Sequence, residues 1–170
     1  MTTFVALLRA VNVGGTGKLP IKLLGKLCTN LGLKKVRSYI QSGNVLFESK
    51  RTEKSLQGIL VKALTKKMGR PAVVMVRTAA EMRAVLKSNP FPKAPRAKVP
   101  VAFLSGTMAK GTLDDLSIPG KEKVRPGNRE VHIHYPDGMG RSKLKLPKAL
   151  GAVTVRNFNT VGKLVEIIDG

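Results

Sequence analysis

Val5-Ala6-Leu7-Leu8 and Val101-Ala102-Phe103-Leu104 open a pattern that occurs twice along this chain and decides its fold. Both are short apolar runs typical of β-strands. The pattern continues with Ser42-Gly43-Asn44 answering Pro126-Gly127-Asn128, and then with Val74-Met75-Val76-Arg77-Thr78 answering Val153-Thr154-Val155-Arg156-Asn157. Three matches in the same order indicate an internal duplication.

The first copy of the pattern predicts the element order βαββαβ with a trailing helix. A strand at 4–11 precedes a helix from about residue 20, where Leu24, Leu27, Cys28 and Leu31 share one face at i, i+3, i+4, i+7 spacing. Strands at 36–41 and 45–48 form a hairpin around Ser42-Gly43-Asn44. A helix at 52–68, a strand at 71–77 and a helix at 78–88 complete this half.

The second copy predicts the same order beyond a proline-rich segment. Four prolines in 89–100 exclude a helix or a central strand there and predict a linker. Strands follow at 101–105, 121–125, 129–135 and 152–156, with short helices at 109–116 and 144–150 and a final helix at 159–168. The predicted fold class is α+β, with duplicated ferredoxin-like βαββαβ halves at 1–88 and 101–170 whose sheets are antiparallel.

The charge is strongly one-sided, with 31 Lys and Arg against 10 Asp and Glu, a formal net charge of +21. Most of this charge must lie on the surface, where it attracts polyanions such as nucleic acid. The alternative is a general contribution to solubility. The given sequence opens on a strand-like run rather than a basic segment followed by a long apolar one, and no apolar run approaches the roughly 20 residues that span a bilayer. The predicted location is therefore the cytoplasm, and no membrane partner is expected. The lone Cys28 is expected in the core.

Basic residues on predicted helices and near the end of the chain are the candidates for contacts with backbone phosphates. Contacts of this kind carry little sequence preference. They are Lys22, Lys26, Lys62, Lys66, Arg141, Lys145 and Lys148.

The loop at 12–18 has the composition of an anion site, because its glycines allow close backbone approach and Lys18 stands near a helix N-terminus. It is not a P-loop, since Asn12 stands where that signature needs glycine and Leu19 where it needs Ser or Thr. A flexible turn is the alternative interpretation of this loop.

A larger set of polar residues lies at predicted strand ends and turns, where packing of the two halves would gather it into one phosphate-binding pocket. The set lacks paired carboxylates and a nucleophile with an adjacent His, and Ser142-Lys143 is unsuited as a nucleophile pair because sequence neighbours seldom face each other. The alternative is that these groups only cap helices and hold hairpins. The predicted ligand- or anion-binding residues are Arg9, Asn12, Gly14, Gly15, Lys18, Gln41, Ser42, Asn44, Ser142, Lys143, Arg156, Asn157 and Thr160.

His132 and His134 share one face of a predicted strand, but two ligands without a Cys or acidic cluster do not predict a metal site. Tyr39, Phe47 and Tyr135 lie on hairpin strands, where they suit base stacking on single-stranded nucleic acid and packing in the core equally well. No cofactor is predicted.

Five motifs occur in this order along the chain: Leu7-Leu8-Arg9-Ala10-Val11-Asn12-Val13-Gly14-Gly15, Tyr39-Ile40-Gln41-Ser42-Gly43-Asn44-Val45, Asn89-Pro90-Phe91, Gly140-Arg141-Ser142-Lys143-Leu144 and Arg156-Asn157-Phe158-Asn159-Thr160. Together they resemble a widespread, mainly bacterial family of domain-of-unknown-function proteins over nearly the whole chain. The resemblance implies a duplicated ferredoxin-like fold and no settled activity. Ala10 stands where the family commonly has glycine, Phe158 stands where it commonly has tryptophan, and the strong basicity is unusual for it.

Three functions follow as hypotheses. The first is a basic protein that binds nucleic acid with low sequence specificity. The second is an enzyme or carrier for a small phosphorylated or nucleotide-like ligand. The third is a structural or partner-binding protein, for which oligomer formation through an open sheet edge would be the simplest indication. The sequence identifies no reaction and makes no prediction of the oligomeric state.

Overall fold

The computed structural model describes residues 1–9, 21–39 and 43–170, and it divides the chain into two compact units. The first comprises Met1–Arg83 with Ile167–Gly170, and the second comprises Ala84–Glu166. The fold is mixed α+β, with two four-stranded antiparallel sheets and, in the described ranges, four α-helices.

The first unit follows the predicted element order. Its elements are β1 (Thr2–Arg9), α1 (Ile21–Asn30), β2 (Lys34–Tyr39), β3 (Asn44–Ser49), α2 (Glu53–Met68), β4 (Val73–Thr78) and the start of α3 (Ala79–Lys87). The strands pair in the order β2-β3-β1-β4, with every neighbour antiparallel.

Helices α1 and α2 cover one face of this sheet because each presents an apolar stripe to it. Leu24 and Cys28 of α1 and Leu56, Leu60 and Leu64 of α2 are buried against alternate residues of β1, β3 and β4. Thr52 begins α2 by accepting a hydrogen bond from Ser55 N, and Gly69 ends it in the left-handed conformation at φ 70°. The prediction that Cys28 lies in the core is confirmed, and burial raises the pKa of its thiol to about 12.

The second unit repeats the strand order with different connections. Its strands are β5 (Val101–Leu104), β6 (Lys123–Pro126), β7 (Glu130–His134) and β8 (Val153–Arg156), paired as β6-β7-β5-β8 and all antiparallel. Helix α4 (Phe158–Asp169) follows β8, as α3 follows β4. Two similar halves with the same strand order are consistent with the duplication inferred from the sequence.

The predicted short helices of the second half are wrong. Residues 109–116 form turns, because Gly111 adopts φ 85° and the Thr112 hydroxyl donates to the Ala109 carbonyl at 2.6 Å, in competition with a helix. Residues 144–150 contain Pro147, and only one turn of 3-10 helix forms, at Lys148–Leu150. Apolar side chains of these irregular segments, such as Leu113, Leu144 and Leu150, still cover the sheet.

The predicted linker segment packs within the second unit. The Phe91 ring lies 5.5 Å from that of His134, and the Arg125 guanidinium lies over Phe91 at 5.9 Å. One turn of 3-10 helix at Arg96–Lys98 is the regular structure in this proline-rich segment. The resembling motif Asn89-Pro90-Phe91 therefore has a packing role here.

Candidate anion-binding site

Six of the predicted site residues lie outside the described residues. They are Asn12, Gly14, Gly15 and Lys18 in the glycine-rich loop, and Gln41 and Ser42 in the first hairpin. The prediction that this loop binds an anion stays a prediction.

Arg9 and Asn44 lie near the same end of the first sheet but have different surroundings. Asn44 is fully buried, and its side-chain amide donates to the Tyr39 carbonyl at 3.2 Å across the hairpin. Arg9 is exposed at the end of β1, opposite Val73. Asn44 thus holds the hairpin, as the alternative interpretation of the polar set expected, while Arg9 is accessible to a ligand.

Arg156 is a buried cation of the second sheet, and Arg77 occupies the matching place in the first. Each guanidinium donates to the carbonyl of the preceding residue at 3.0 Å. Burial lowers the pKa of Arg156 to about 10, which leaves it protonated at neutral pH. The shared geometry follows the sequence match between the two strands.

Asn157 and Thr160 act at the start of α4. The Asn157 side-chain carbonyl accepts hydrogen bonds from the Thr160 backbone N–H at 2.9 Å and from the Thr160 hydroxyl at 3.3 Å. This arrangement satisfies a backbone donor that a helix N-terminus otherwise leaves without a partner. Both side chains therefore have a capping role.

The seven basic residues predicted to contact phosphates are all exposed. The ion pairs of the described lysines involve Lys35 with Glu48 at 3.2 Å and Lys163 with Glu166 at 3.5 Å, and none involves the predicted seven. Helices α1 and α2, on the same sheet face, meet at a groove of about 320 Å³ lined by Lys26 and Lys67. These helices form a basic surface, defined here by Lys22, Lys26, Lys62, Lys66 and Lys67.

Ser142 and Lys143 line a pocket of about 300 Å³ within the second unit, which we call the Ser142 pocket. Its charged side chains come from three places in the chain, before β6, after β7 and in the turn at Met139–Arg141. They are Lys121, Glu122, Asp137, Arg141 and Lys143, and the remaining lining residues are Pro119, Gly120, Tyr135, Pro136, Gly138 and Ser142.

A hydrogen bond between Ser142 and Glu122 organises this pocket. The Ser142 hydroxyl donates to Glu122 Oε1 at 2.6 Å and accepts from the Leu144 backbone N–H at 3.0 Å. This bond, with the backbone N–H groups of Glu122 and Gly120 as smaller contributions, lowers the pKa of the Glu122 carboxyl. Burial, with a smaller effect of Glu122, raises the pKa of Tyr135. At neutral pH the pocket therefore holds a carboxylate beside a neutral phenol.

The turn after β7 positions the wall of the Ser142 pocket. Gly138 adopts φ 89°, and its backbone N–H donates to the Tyr135 carbonyl at 3.0 Å. The Lys98 ammonium donates to the Pro136 carbonyl at 2.8 Å. These contacts fix Tyr135 and Pro136, and Tyr135 is 6% exposed.

Sequence reasoning missed Glu122, Lys121 and Asp137 as parts of a site. Glu122 lies 20 residues from Ser142 in the chain, so no local spacing connects the two. The fold of the second unit brings them together, and the sequence pattern around Glu122 has no feature of its own.

The aromatic and histidine candidates are mostly internal. Phe47 and Tyr135 are buried in the cores of their units. Neither ring can therefore stack on a base, and both have a packing role. His132 is 1% exposed and lies with Glu130, Thr154 and Arg156 on the buried face of the second sheet opposite its apolar core. Among the described residues, no three His, Cys, Asp or Glu side chains form a group that could hold a metal ion.

None of the described helices is long and apolar enough to cross a membrane.

Residues 1–132 match the family described as "Protein of unknown function (DUF1697)", and the chain belongs to that family. A solved structure of a conserved bacterial protein, SP0830 from Streptococcus pneumoniae, is similar to this chain with a TM-score of 0.78 at 24% identity. The similarity covers 96% of this chain and 98% of that one, and it shows a shared fold. No curated protein sequence matches the chain.

Proposed function

We propose that this member of a family of unknown function binds nucleic acid through backbone phosphates, with low sequence specificity. The observation that carries the proposal is the basic surface of α1 and α2, whose lysines are exposed and free of ion pairs in the described structure. Phosphates that bind such lysines release condensed counterions, and the resulting gain in free energy does not depend on base sequence.

The spacing of the lysines suits a phosphate backbone. Lys22 and Lys26 are one helical turn apart on α1, as are Lys62 and Lys66 on α2, so each pair lies about 6 Å apart along one helix side. Two such pairs on neighbouring helices give several cations that act on one polyanion. Exposed Arg141, Lys145 and Lys148 add a second group of cations in the other unit.

Two of the four edge strands in the described sheets carry features that oppose oligomer formation through an open strand. Edge strand β2 carries exposed Lys34, Lys35 and Arg37 and a register shift between Lys34 and Arg37. Edge strand β6 carries exposed Lys123 and Arg125 and ends at Pro126. Charged residues, bulges and proline are the features that keep strand edges from pairing with other chains.

We infer that both units are variants of the ferredoxin-like fold, supported by the order β2-β3-β1-β4 in one and β6-β7-β5-β8 in the other. We also propose that the two halves extend over 1–88 and 101–170 with a linker between them. The proposed location of the protein is the cytoplasm.

A gel-shift experiment with matched variants tests the function. Duplex and single-stranded DNA and RNA of unrelated sequences are titrated with the wild type, with Lys26→Gln/Lys66→Gln, and with Lys35→Gln/Lys163→Gln. Both double variants lose two charges, but the second pair of lysines already has Glu partners. We expect micromolar or tighter binding by the wild type that varies little with sequence, and a roughly tenfold weakening in the first variant only.

No shift at low salt would contradict the proposed function. Equal weakening in the two variants would contradict the assignment of binding to the basic surface.

A further inference from the structure

The charges in the Ser142 pocket do not neutralise one another. Lys121, Arg141 and Lys143 face the same space as Glu122 and Asp137, yet within the described structure none of these five side chains forms an ion pair. Opposite charges that converge without pairing are available to a ligand. The mixture of signs also distinguishes this pocket from the uniformly basic surface of α1 and α2.

Glu122 offers an acceptor of defined position. Its carboxylate lines the pocket, where the Ser142 hydroxyl holds Oε1 at 2.6 Å and the protein encloses Oε2. An ionised carboxylate in a pocket wall can accept a strong hydrogen bond from a ligand hydroxyl. The requirement is therefore a hydrogen-bond donor on the ligand.

The cations of the pocket call for an anionic group on the same ligand. Three positive and two negative side chains leave the lining with an excess of one positive charge. Arg141 can present a planar two-pronged donor, and Lys121 and Lys143 present mobile point charges, a combination that suits a dianionic phosphate better than a planar carboxylate.

The walls and the size of the pocket limit the rest of the ligand. Tyr135, Pro119 and Pro136 provide apolar surface, and the volume of about 300 Å³ lies at the lower end of small-molecule sites. A five- or six-carbon sugar with one phosphate fits this volume, whereas a dinucleotide exceeds it.

We propose that the Ser142 pocket binds a sugar phosphate, with Lys121, Arg141 and Lys143 around the phosphate and the Glu122 carboxylate accepting a sugar hydroxyl. Ser142 positions the Glu122 carboxylate. The site is separate from the basic surface and does not depend on nucleic-acid binding.

Calorimetric titration of the full chain with four probes tests this proposal. The probes are ribose 5-phosphate, ribose, inorganic phosphate and phosphoethanolamine, all titrated at the same physiological salt concentration so that ionic screening is equal for each. We expect ribose 5-phosphate to bind at least tenfold more tightly than the other three. Ribose lacks the phosphate, inorganic phosphate lacks the sugar hydroxyl, and phosphoethanolamine carries an amine that the surplus positive charge disfavours.

Three variants assign the binding to the pocket. Glu122→Gln replaces the carboxylate by a neutral amide, which is a weaker acceptor, and Lys121→Gln removes a phosphate contact. Each is expected to weaken ribose 5-phosphate binding roughly tenfold. Lys110→Gln is the control, since this exposed lysine belongs to the same unit but does not line the pocket. In the wild type, amide resonances of Gly120, Gly138 and Gly140 are expected to shift on titration, which tests the site without any substitution.

Absence of binding at millimolar ribose 5-phosphate, equal affinity for inorganic phosphate, or amide shifts confined to other residues would each overturn the proposal. Because the basic surface is tested at low salt with variants outside this pocket, failure here leaves the nucleic-acid proposal standing, and the reverse also holds.

Discussion

At the scale of single residues, His132 is the least satisfied polar group described in the second unit. Neither imidazole nitrogen has a hydrogen-bond partner among the described residues, and a carboxylate oxygen of Glu130 is 3.9 Å from Nε2. Burial lowers the pKa of His132, and the charge of Glu130 offsets this only in part. The strand register places His132 opposite Val101, as it places Leu46 opposite Val5 in the first unit.

We predict that His132→Leu raises the free energy of unfolding by roughly 1 kcal/mol, because it removes two buried nitrogens without partners. In this variant the free energy of unfolding should also depend less on pH. In the wild type the unfolded chain binds a proton as the pH falls through about 6.5, whereas the folded His132 stays neutral to lower pH. Stability therefore decreases below about pH 6.5, and urea unfolding between roughly pH 7.5 and 5 measures the slope.

His134→Leu is the matched control, since His134 is on the same strand but only half-buried, with its ring against Phe91. A slope unchanged in His132→Leu, or reduced equally by His134→Leu, would contradict the assignment to His132.

Several side-chain contacts in the second unit could not be predicted from the sequence. The sequence repeat matches Arg77 with Arg156. It does not predict that each guanidinium donates a hydrogen bond to the carbonyl of the preceding residue. Asn157 and Thr160 were candidates for a ligand site and for capping, and their mutual hydrogen bonds favour capping. Glu122 was missed because its partner Ser142 is remote in sequence.

At the scale of elements, the first half was predicted well because its helices carry clear periodic apolar faces. The spacing of Leu24 and Cys28 identified α1, and that of Leu56, Leu60 and Leu64 identified α2. The second half lacks such periodicity. Leu113, Leu144 and Leu150 suggested helices, but Gly111 and Pro147 prevent them, and the same side chains pack from irregular backbone instead.

Helix α2 provides a test of backbone conformation at two glycines. Gly58 lies exposed inside the helix, and a methyl group there meets nothing within 4 Å. We expect Gly58→Ala to raise the free energy of unfolding by about 0.5–1 kcal/mol, since it reduces the conformational freedom of the unfolded chain.

Gly69 also has open space around it but adopts φ 70° at the end of α2. Gly69→Ala should therefore lower the free energy of unfolding by about 1 kcal/mol. Denaturant unfolding of both variants measures the difference, and effects of the same sign would contradict the cap described here.

At the scale of the whole molecule, fold and charge carry separate information. The shared fold extends across 96% of the chain in the comparison with the pneumococcal protein. The net charge of +21 belongs to the surface of this chain, and surface charge governs binding and association rather than fold. The helical spacing of the lysines predicts which helix faces are basic. Whether these lysines form ion pairs depends on where the few acidic residues lie in space, which the sequence does not show.

The salt dependence of DNA binding tests the proposed function most directly. Affinity for one duplex is measured by fluorescence anisotropy at several NaCl concentrations, for the wild type and for Lys22→Gln/Lys26→Gln/Lys62→Gln/Lys66→Gln. We predict a steep linear fall of log Kobs with log salt concentration, and a slope that becomes shallower by up to about 0.9 for each lysine that contacts a phosphate. A flat dependence in the wild type, or the same slope in both proteins, would contradict phosphate binding by the basic surface.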